Sequence, residues 1–391
     1  MIPYGRHSIE AEDIDKVVKV LQHGNLTQGD RVPALEQALA EYVDVPYVSM
    51  VNSATSALHL ACVALGVSRG DIVWTSPLSF VASANCARYC GADVDFVDID
   101  PETLNISLTL LERKLALAAS EQRLPKAIVV VHFSGLSVDM QALQQLASAY
   151  RVALIEDASH ALGADYQGRK VGCCDFADAV VFSFHPVKMI TTGEGGAVLT
   201  RHRQLHDHVR RLRSHGIEKN TAAIQSGDCP PWYYEQHELG FNYRITDVQA
   251  ALGLSQLQRL DEMVARRRQL ASRYDHLLGD LPLVLPPRGN EASQSSWHLY
   301  VIQLQQPQLR AELYAFLHAH NIGVQVHYIP IHWQPYYQQL GFSRGQFPLA
   351  EAYYEQCLTL PLFPGLSDEQ QSEIARLLHL FFKQLSAELS L

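Results

Sequence analysis

The chain has 391 residues, of which 47% are hydrophobic and 18% are charged, as in ordinary globular proteins. Its formal net charge is −10 at pH 7, which argues against nucleic-acid binding, because phosphate recognition needs a concentrated basic surface. The first residues hold no apolar signal segment, and no apolar run approaches the roughly 18 residues of a membrane span. We therefore predict a cytoplasmic protein with no nucleic-acid or membrane partner.

The seven cysteines are odd in number and form no CxxC pair. Most of them lie in apolar segments, which favours reduced thiols in the core over a disulfide framework or a zinc site. They are Cys62, Cys86, Cys90, Cys173, Cys174, Cys229 and Cys357. We expect no metal centre.

Short apolar runs alternate with helical patterns through the first half of the chain. Residues 127–133, 152–158 and 179–184 are predicted strands, and 139–150 is a predicted helix between the first two. Strand, helix, strand in this order predicts a mostly parallel sheet with helices on its faces. Upstream, the predicted strands 47–53 and 72–77 each lead directly into a helical pattern.

In open α/β sheets, ligands bind beyond the carboxyl ends of the strands. Polar residues stand at four such predicted ends, and we expect them to converge. They are Asn52 with Ser53, Ser76 before Pro77, Asp157, and His185.

The second half of the chain predicts a different organisation. Residues 218–237 are predicted to form a long loop, and one long helix is predicted from an N-cap at Thr246 to about Leu278. Further predicted elements are a strand at 298–304, a helix at 309–319, an extended run at 324–328 and a terminal helix from 367. We predict a large α/β domain over 1–250 and a smaller C-terminal α+β domain over 251–391.

Two charged residues follow successive predicted strands of the large domain. Asp157 ends one of them, and Lys188 lies between the run VVFSFH and the glycine-rich GEGGAV. Taken singly, each residue has a common alternative interpretation. Asp157 could be an acid that caps a loop, and Lys188 could be a solvated lysine at a turn. A lysine in a desolvated pocket, however, loses its charge easily and becomes a nucleophile toward carbonyl groups. The glycines after it indicate a close backbone approach or a tight return into the next strand.

The stretch NSATSALHL places small hydroxyl residues where a strand turns into a helix. Such a helix start offers free N–H groups to an anion, although a simple N-cap is an equally common interpretation. An aldehyde for the lysine, a phosphate for the helix start and a basic ring nitrogen for the aspartate are all present in pyridoxal phosphate (PLP). Phe80, at the end of TSPLSF, offers a flat face for the ring, or is an ordinary core residue.

Several segments resemble the DegT/DnrJ/EryC1/StrS family of PLP-dependent nucleotide-sugar aminotransferases, and the similarity runs through nearly the whole chain. They are NSATSALHL, EDASHALGA, FSFHPVKMITTGEGGAV, RSHGI, LGFNYRITDVQAALGLSQL, VQVHYIPIHWQPYY and LPLFPGLSDEQ. The resemblance implies PLP-dependent transferase fold type I, as in aspartate aminotransferase, and a homodimer with active sites at the subunit interface.

The resemblance also implies roles for individual residues. Lys188 matches the lysine that bonds to the cofactor aldehyde, Asp157 the partner of the pyridine nitrogen, and Phe80 the aromatic residue stacked on the ring. His160 matches the residue beside the ring, where many relatives have glutamine. The remaining matches are the phosphate-binding Thr55, Ser56 and Ser183, the lysine's neighbour His185, and Asn242, which the second subunit contributes to the phosphate.

The implied reaction is amino transfer from L-glutamate to C4 of a UDP-linked 4-keto-6-deoxy-N-acetylhexosamine, as pseudaminic acid biosynthesis requires. Relatives that dehydrate sugars carry histidine at the position of Lys188, so the lysine favours transamination. Arginine and histidine neutralise diphosphates and tyrosine stacks or donates hydrogen bonds, so we expect sugar-nucleotide contacts from such residues. The candidates are Arg213, His215, His327, Tyr328 and His332. The alternatives are an aminotransferase for another UDP- or dTDP-linked keto-sugar, another kind of PLP enzyme, and a non-catalytic binding or regulatory protein of the same fold.

Overall fold

The computed structural model describes residues 1–219, 224 and 229–388. The helices in those residues are α1 (Ala11–His23), α2 (Arg31–Val43), α3 (Ala54–Ala64), α4 (Ala82–Tyr89), α5 (Leu108–Ser120), α6 (Met140–Tyr150), α7 (Arg203–Leu212), α8 (Asp247–Leu257), α9 (Leu260–Leu278), α10 (Arg310–Ala319), α11 (Pro335–Gln338), α12 (Pro348–Gln356) and α13 (Asp368–Glu388). Short 3₁₀ turns occupy Phe133–Gly135, Pro307–Leu309 and Ile331–Trp333.

The strands up to the end of the large sheet are β1 (Tyr47–Val51), β2 (Ile72–Thr75), β3 (Asp93–Phe96), β4 (Ala127–Val131), β5 (Ala153–Asp157), β6 (Asp165–Tyr166), β7 (Arg169–Lys170), β8 (Ala179–Ser183) and β9 (Gly196–Thr200). The later strands are β10 (Ile217–Glu218), β11 (Glu235–Gln236), β12 (Leu283–Val284), β13 (Gly289–Asn290), β14 (Ser293–Gln294), β15 (Tyr300–Leu304) and β16 (Cys357–Leu360).

Seven of these strands form the central sheet, in the order β1-β9-β8-β5-β4-β2-β3. The pairs among β2, β3, β4, β5 and β8 are parallel, and β9 is antiparallel to both of its neighbours. The predicted mostly parallel α/β sheet is therefore confirmed. Register places Asp157 opposite Val131 on one side and Val181 on the other, and Gly196 opposite both Val51 and Ser183. The carboxyl ends of β1, β4, β5 and β8 thus meet at one edge.

Helices cover both faces of this sheet, because apolar residues occupy consecutive positions in the central strands. In β4, Val129 packs with the residues of α3 and α4, whereas Ile128 and Val130 pack with those of α5 and α6. Strands that are apolar on both faces are typical of parallel sheets, and each fully buried Val or Ile stabilises the fold by about 1.5–3 kcal/mol.

The last third of the chain adds a second, smaller sheet. Strands β12, β15 and β16 pair antiparallel and pack against α9, α10 and α13 through one apolar cluster. The ribbon β13-β14-β6-β7 joins this part to the large sheet, and Ile2 bridges to Ile322. Helix α8 packs on α1 and α2, whereas α9 packs on α13. The domain boundary near residue 250 stays a prediction.

Three sequence predictions need correction. The helix predicted from Thr246 to Leu278 is two helices, α8 and α9, although Thr246 is the N-cap and forms a capping box with Gln249. Residues 324–328 form no strand and contribute only a bridge from Gln325 to Thr359. The ends of the predicted loop 218–237 pair as β10 and β11, while its residues 220–223 and 225–228 lie outside the described residues.

The seven cysteines are free, and five of them are buried, as expected for reduced core thiols. No helix in the described part of the chain combines the length and apolarity needed to cross a membrane.

Candidate active site

A cavity of about 490 Å³ opens where the carboxyl ends of the central strands meet. Residues from the ends of β1, β4, β5 and β8 line it, together with residues from the last third of the chain. Among the predicted site residues, it brings together Thr55, Phe80, Asp157, His160, Ser183, His185, Lys188, His327 and Tyr328. Of the polar residues predicted to converge from the strand ends, Ser53, Asp157 and His185 line this cavity, whereas Asn52 and Ser76 do not.

Lys188 lies on the turn between β8 and β9. Its backbone N–H donates to the carbonyl of His185, 2.9 Å away. The side chain contacts the cavity, but protein surrounds its amine, and this burial lowers the pKa of Lys188 from 10.5 to about 8, against the opposing charge of Asp157. About a tenth of the amine is therefore neutral at pH 7, far more than in an exposed lysine, and the neutral form is the one that attacks carbonyl carbon.

The glycines after Lys188 permit a close approach of two backbones. A Cβ at Gly196 would lie 2.5 Å from the amide nitrogen of Ala54 and from the carbonyl of Ser53. The first residue of β9 therefore packs directly under the start of α3, and only glycine leaves room for this contact. The predicted close backbone approach is confirmed.

Asp157 is 5% exposed and is held by two short hydrogen bonds. The hydroxyl of Ser83 donates to its Oδ2 and the hydroxyl of Ser159 donates to its Oδ1, each at 2.6 Å. Ser79 lies 2.7 Å from Ser83 and extends this hydroxyl chain. The carboxylate is therefore fixed in orientation and compensated for its burial. The adjacent Glu156 points away and binds His132 at 2.7 Å.

The start of α3 forms another wall of the cavity. Ser53 is the N-cap and its hydroxyl accepts from the N–H of Ser56 at 3.1 Å. Within the described residues, the N–H groups of Ala54 and Thr55 have no hydrogen-bond partner, and both residues line the cavity. Free N–H groups at the positive end of a helix dipole form a binding site for an anion such as a phosphate. Ser183 lines the same cavity.

Ser56 is a sequence-predicted site residue that the structure uses differently. Its hydroxyl donates to the Asn52 side chain at 2.7 Å, and the residue is 8% exposed. Its side chain therefore supports the helix start and does not line the cavity.

The opposite wall is aromatic. Phe80, 58% exposed, lies with its ring 6.3 Å from that of Tyr328. Burial, and next the charge of Lys188, lowers the pKa of His160 and of His298 well below the ordinary value and that of His327 to about 3. These three imidazoles are therefore neutral at physiological pH.

Two of the predicted sugar-nucleotide residues are committed elsewhere. Arg213 makes an ion pair with Glu36 at 2.6 Å and also donates to the carbonyl of Met50. His332 is fully buried, bonds to Glu351 at 2.8 Å and packs on Phe347. Both side chains make structural contacts within the subunit, and their contacts with a sugar nucleotide stay predictions.

His215 and Asn242 also lie outside this chain's cavity. Both are exposed and lie close together, because Ser214 bridges to Asn242 and the N–H of His215 donates to the carbonyl of Phe241. An exposed position away from the subunit's own cavity is what a residue offered to a second subunit requires, and the role of each stays a prediction.

Sequence reasoning missed several cavity residues, namely Tyr4, Ser79, Ser159, Glu194 and His298, and also Ser83 behind Asp157. Ser159 had a local signal, because a serine two residues after an aspartate commonly bonds to its carboxylate. His298 had none, since it reaches the cavity through the docking of the last third of the chain against the large sheet.

Comparisons with known proteins agree with this geometry. Residues 7–379 match the DegT/DnrJ/EryC1/StrS aminotransferase family. The chain is 39% identical over 378 residues to the spore coat polysaccharide biosynthesis protein SpsC of Bacillus subtilis, covering 95% of each chain. It is 43% identical over 367 residues to a UDP-4-amino-4,6-dideoxy-N-acetyl-beta-L-altrosamine transaminase of Campylobacter jejuni, covering 92% of each.

Among solved structures, the aminotransferase PseC of Helicobacter pylori, involved in pseudaminic acid biosynthesis, superposes with a TM-score of 0.90 at 34% identity. The match covers 98% of this chain and 99% of PseC, and it confirms the predicted transferase fold. A putative sugar aminotransferase of Streptococcus pneumoniae, solved in a PLP form, gives a TM-score of 0.87 at 29% identity and covers 96% of this chain and 97% of its own. With its fold, its cavity and its sequence in agreement, the chain belongs to the DegT/DnrJ/EryC1/StrS aminotransferase family.

Proposed function

We propose that the protein is a PLP-dependent aminotransferase that moves the amino group of L-glutamate to C4 of a UDP-linked 4-keto sugar. The substrate proposed is UDP-2-acetamido-2,6-dideoxy-beta-L-arabino-hex-4-ulose, and the product is the 4-amino sugar of pseudaminic acid biosynthesis. The observation that carries the proposal is that the amine of Lys188 and the carboxylate of Asp157 line one cavity. The names of the Campylobacter jejuni and Helicobacter pylori relatives support the choice of sugar.

The groups that line the cavity fit PLP. A partly neutral lysine amine suits its aldehyde, free N–H groups at the start of α3 suit its phosphate, and a fixed carboxylate suits its ring nitrogen. Lys188, Asp157, Thr55 and Ser183 would hold the cofactor, with the exposed ring of Phe80 against its face. Lys188 is the only lysine or arginine among the described residues that line the cavity, so the covalent attachment has one candidate.

When bound, PLP supplies an electron sink that makes the hydrogen on the donor's Cα acidic. The chain supplies the base: the neutral amine of Lys188 takes the proton from Cα of glutamate and later returns a proton to C4 of the sugar. Ser83 and Ser159 fix the orientation of the Asp157 carboxylate, which would stabilise the positive charge of the ring nitrogen. On this side of the cavity the ring of His160 packs between those of His298 and Tyr328, and both histidines are only 4% exposed.

We also propose that the enzyme is a homodimer whose second subunit completes each site. Asn242 and His215 lie close together on an exposed surface away from the subunit's own cavity, and this placement supports the proposal. In that arrangement Asn242 of one chain would donate its amide to the cofactor phosphate of the other, and His215 would lie near the sugar nucleotide.

The test is replacement of the lysine. Lys188→Ala should remove the visible absorbance band that the bond between the lysine and PLP gives the protein. It should also lower the transamination rate by about a thousandfold or more, because both attachment and proton transfer depend on the amine. Lys126→Ala, which removes an exposed lysine far from the cavity, is the matched control and should change neither. Retention of the visible band in Lys188→Ala would contradict the proposal.

Substrate choice is tested with the parent enzyme. Glutamate and a panel of UDP- and dTDP-linked 4-keto sugars are supplied in turn, and 2-oxoglutarate release is measured for each. The proposal requires the UDP-linked N-acetyl sugar to give the highest kcat/KM. A higher kcat/KM for a dTDP-linked sugar would show that the enzyme acts in another pathway. A parent protein that binds no PLP would indicate a non-catalytic binding protein.

A further inference from the structure

A chain of hydrogen bonds runs along the aromatic wall of the cavity. The backbone N–H of Ser134 donates to Nδ1 of His160 at 3.3 Å, and Nε2 of the same ring lies 3.0 Å from the hydroxyl of Tyr328. His160 is 4% exposed, and the ring of His298 packs on it at 4.5 Å. Water therefore does not compete for either ring nitrogen.

This arrangement fixes the position of the proton on His160. A backbone N–H can only donate, so Nδ1 must be the acceptor and carries no proton. Burial, and next the charge of Lys188, holds the pKa of His160 well below its ordinary value, so the ring is neutral and has one proton. That proton is on Nε2, and the Nε2–H group donates to the oxygen of Tyr328.

The hydroxyl of Tyr328 consequently keeps its own hydrogen for another partner. Burial raises the pKa of Tyr328, so the phenol stays protonated. Among the residues that the structure describes, only His160 forms a hydrogen bond with this hydroxyl, and Tyr328 lines the cavity. The rings of Phe80 and Phe133 each lie 6.3 Å from the Tyr328 ring and limit its movement.

A neutral donor has particular value at this wall. Lys188 is the only lysine or arginine lining the cavity in the described part of the chain, and His160, His298 and His327 are neutral. Apart from Lys188, the described residues that line the cavity in this subunit can therefore stabilise an oxyanion at the aromatic wall only through O–H or N–H groups that carry no charge.

We infer that Tyr328 is a hydrogen-bond donor to an oxyanion bound in the cavity, and that His160 is the positioning residue that directs its hydrogen there. The inference rests on the proposed function, which brings two sources of such an oxyanion. One is the ionised ring hydroxyl of PLP, and the other is a carboxylate of glutamate. A hydrogen bond to an ionised group is stronger than one between neutral groups, so loss of the donor has a measurable effect with either source.

The experiment compares Tyr328→Phe with the parent protein. If the acceptor is the cofactor oxygen, the variant should bind PLP about tenfold more weakly, and the pH midpoint of its visible spectrum should move upward by about one unit, because a lost donor no longer stabilises the anion. If the acceptor is a carboxylate, PLP titration should be unchanged and KM for glutamate should rise about tenfold. Tyr274→Phe, which removes another buried hydroxyl, bonded to the carbonyl of Pro361 far from the cavity, is the control.

Two further measurements examine the protonation of His160 and its effect on Tyr328. NMR of isotope-labelled histidine in the protein without cofactor should show His160 as the neutral ring protonated on Nε2, identified by its loss in His160→Gln. Since a glutamine amide can also donate, His160→Gln should retain the property that Tyr328→Phe impairs, either PLP affinity or glutamate KM, better than His160→Leu does. A ring protonated on Nδ1, or a Tyr328→Phe variant within twofold of the parent in PLP affinity, pH midpoint and glutamate KM, overturns the inference. A parent that binds no PLP instead refutes the proposed function, and the NMR result then still decides the geometry.

Discussion

Burial gives the amine of Lys188 a titration range different from that of surface lysines. Its pKa of about 8 results from burial, which disfavours the charged form, and the carboxylate of Asp157 opposes this effect. The neutral fraction of the amine therefore rises with pH through about 8. The same carboxylate is held by Ser83 and Ser159, so the charge that acts on Lys188 has a fixed position.

A pH profile of amine reactivity tests this charge state. Acylation of Lys188 in the protein without cofactor, followed by mass spectrometry of its peptide, should accelerate with pH and level off above about 8. Asp157→Asn removes the charge that favours the ammonium form and should move the midpoint to lower pH. A parent midpoint near the ordinary 10.5 would show that the amine is not desolvated.

The sequence predicts which residues line the cavity where the signal is local, and it does not where a distant partner determines the contacts of a side chain. Asp157, Lys188 and Thr55 stand at strand or helix ends, and those positions alone place them near one cavity. Arg213 is instead paired with Glu36, 177 positions away in the sequence. His332 looks like a free imidazole in the sequence, but the fold packs it against Phe347 and gives it Glu351 as partner. Neither pairing follows from residue type or spacing.

At the level of elements, α8 and α9 are separate helices although the sequence has one continuous helical pattern. A tertiary contact accounts for the break between them. Arg259, at the break, has φ −107° and ψ 7°, outside the helical range. Its guanidinium binds Asp13 of α1 at 2.7 Å, and the neighbouring Gln256 binds the same carboxylate at 2.8 Å. Helix α1 is thereby fixed to the start of the last third of the chain.

Replacement of Asp13 should therefore be costly. Desolvation raises the pKa of Asp13, but hydrogen bonds from Ser255, the Glu10 backbone and Gln256, together with the charge of Arg259, lower it overall. The carboxylate therefore contributes stability above its ordinary pKa of 3.8 and loses it as the pH falls below that range.

We expect Asp13→Ala to lower the free energy of unfolding at neutral pH by roughly 2–3 kcal/mol. The substitution removes the hydrogen bonds that Gln256 and Arg259 donate to a buried, charged carboxylate. Asp15→Ala, on the exposed face of the same helix, removes only a surface pair with Lys19 and should change stability by less than about 0.5 kcal/mol. Denaturant titration of both variants measures their free energies of unfolding. Equal losses of stability in the two variants would contradict a special role for the Asp13 carboxylate.

At the scale of the whole molecule, the parallel sheet was predictable and the second sheet was not. Strands β4 and β5 are local apolar runs separated by α6, and β8 is a third such run that follows β5 after the short strands β6 and β7. Their order and direction follow from general rules of chain connection. The second sheet pairs Leu283 with Leu304 and Tyr300 with Leu360, across long stretches of sequence. For the same reason His298, just before β15, reaches the cavity without any signal in the sequence.

The proposed dimer makes each active site a product of two chains, and this can be tested by mixing. The protein should elute at about twice its 43.7 kDa monomer mass. Lys188→Ala and Asn242→Ala should each be nearly inactive alone. A heterodimer of the two, however, contains one site with an intact Lys188 and, from the other chain, an intact Asn242.

Random reassociation of equal amounts makes half of the dimers mixed, and each mixed dimer has one complete site in two. Refolding or exchanging the two variants together should therefore restore about a quarter of the parent activity. A mixture of Lys188→Ala with the double variant Lys188→Ala, Asn242→Ala has no complete site and is the control. If Asn242 served its own chain's cavity, mixing would restore nothing, because each site of the heterodimer would then lack either Lys188 or Asn242.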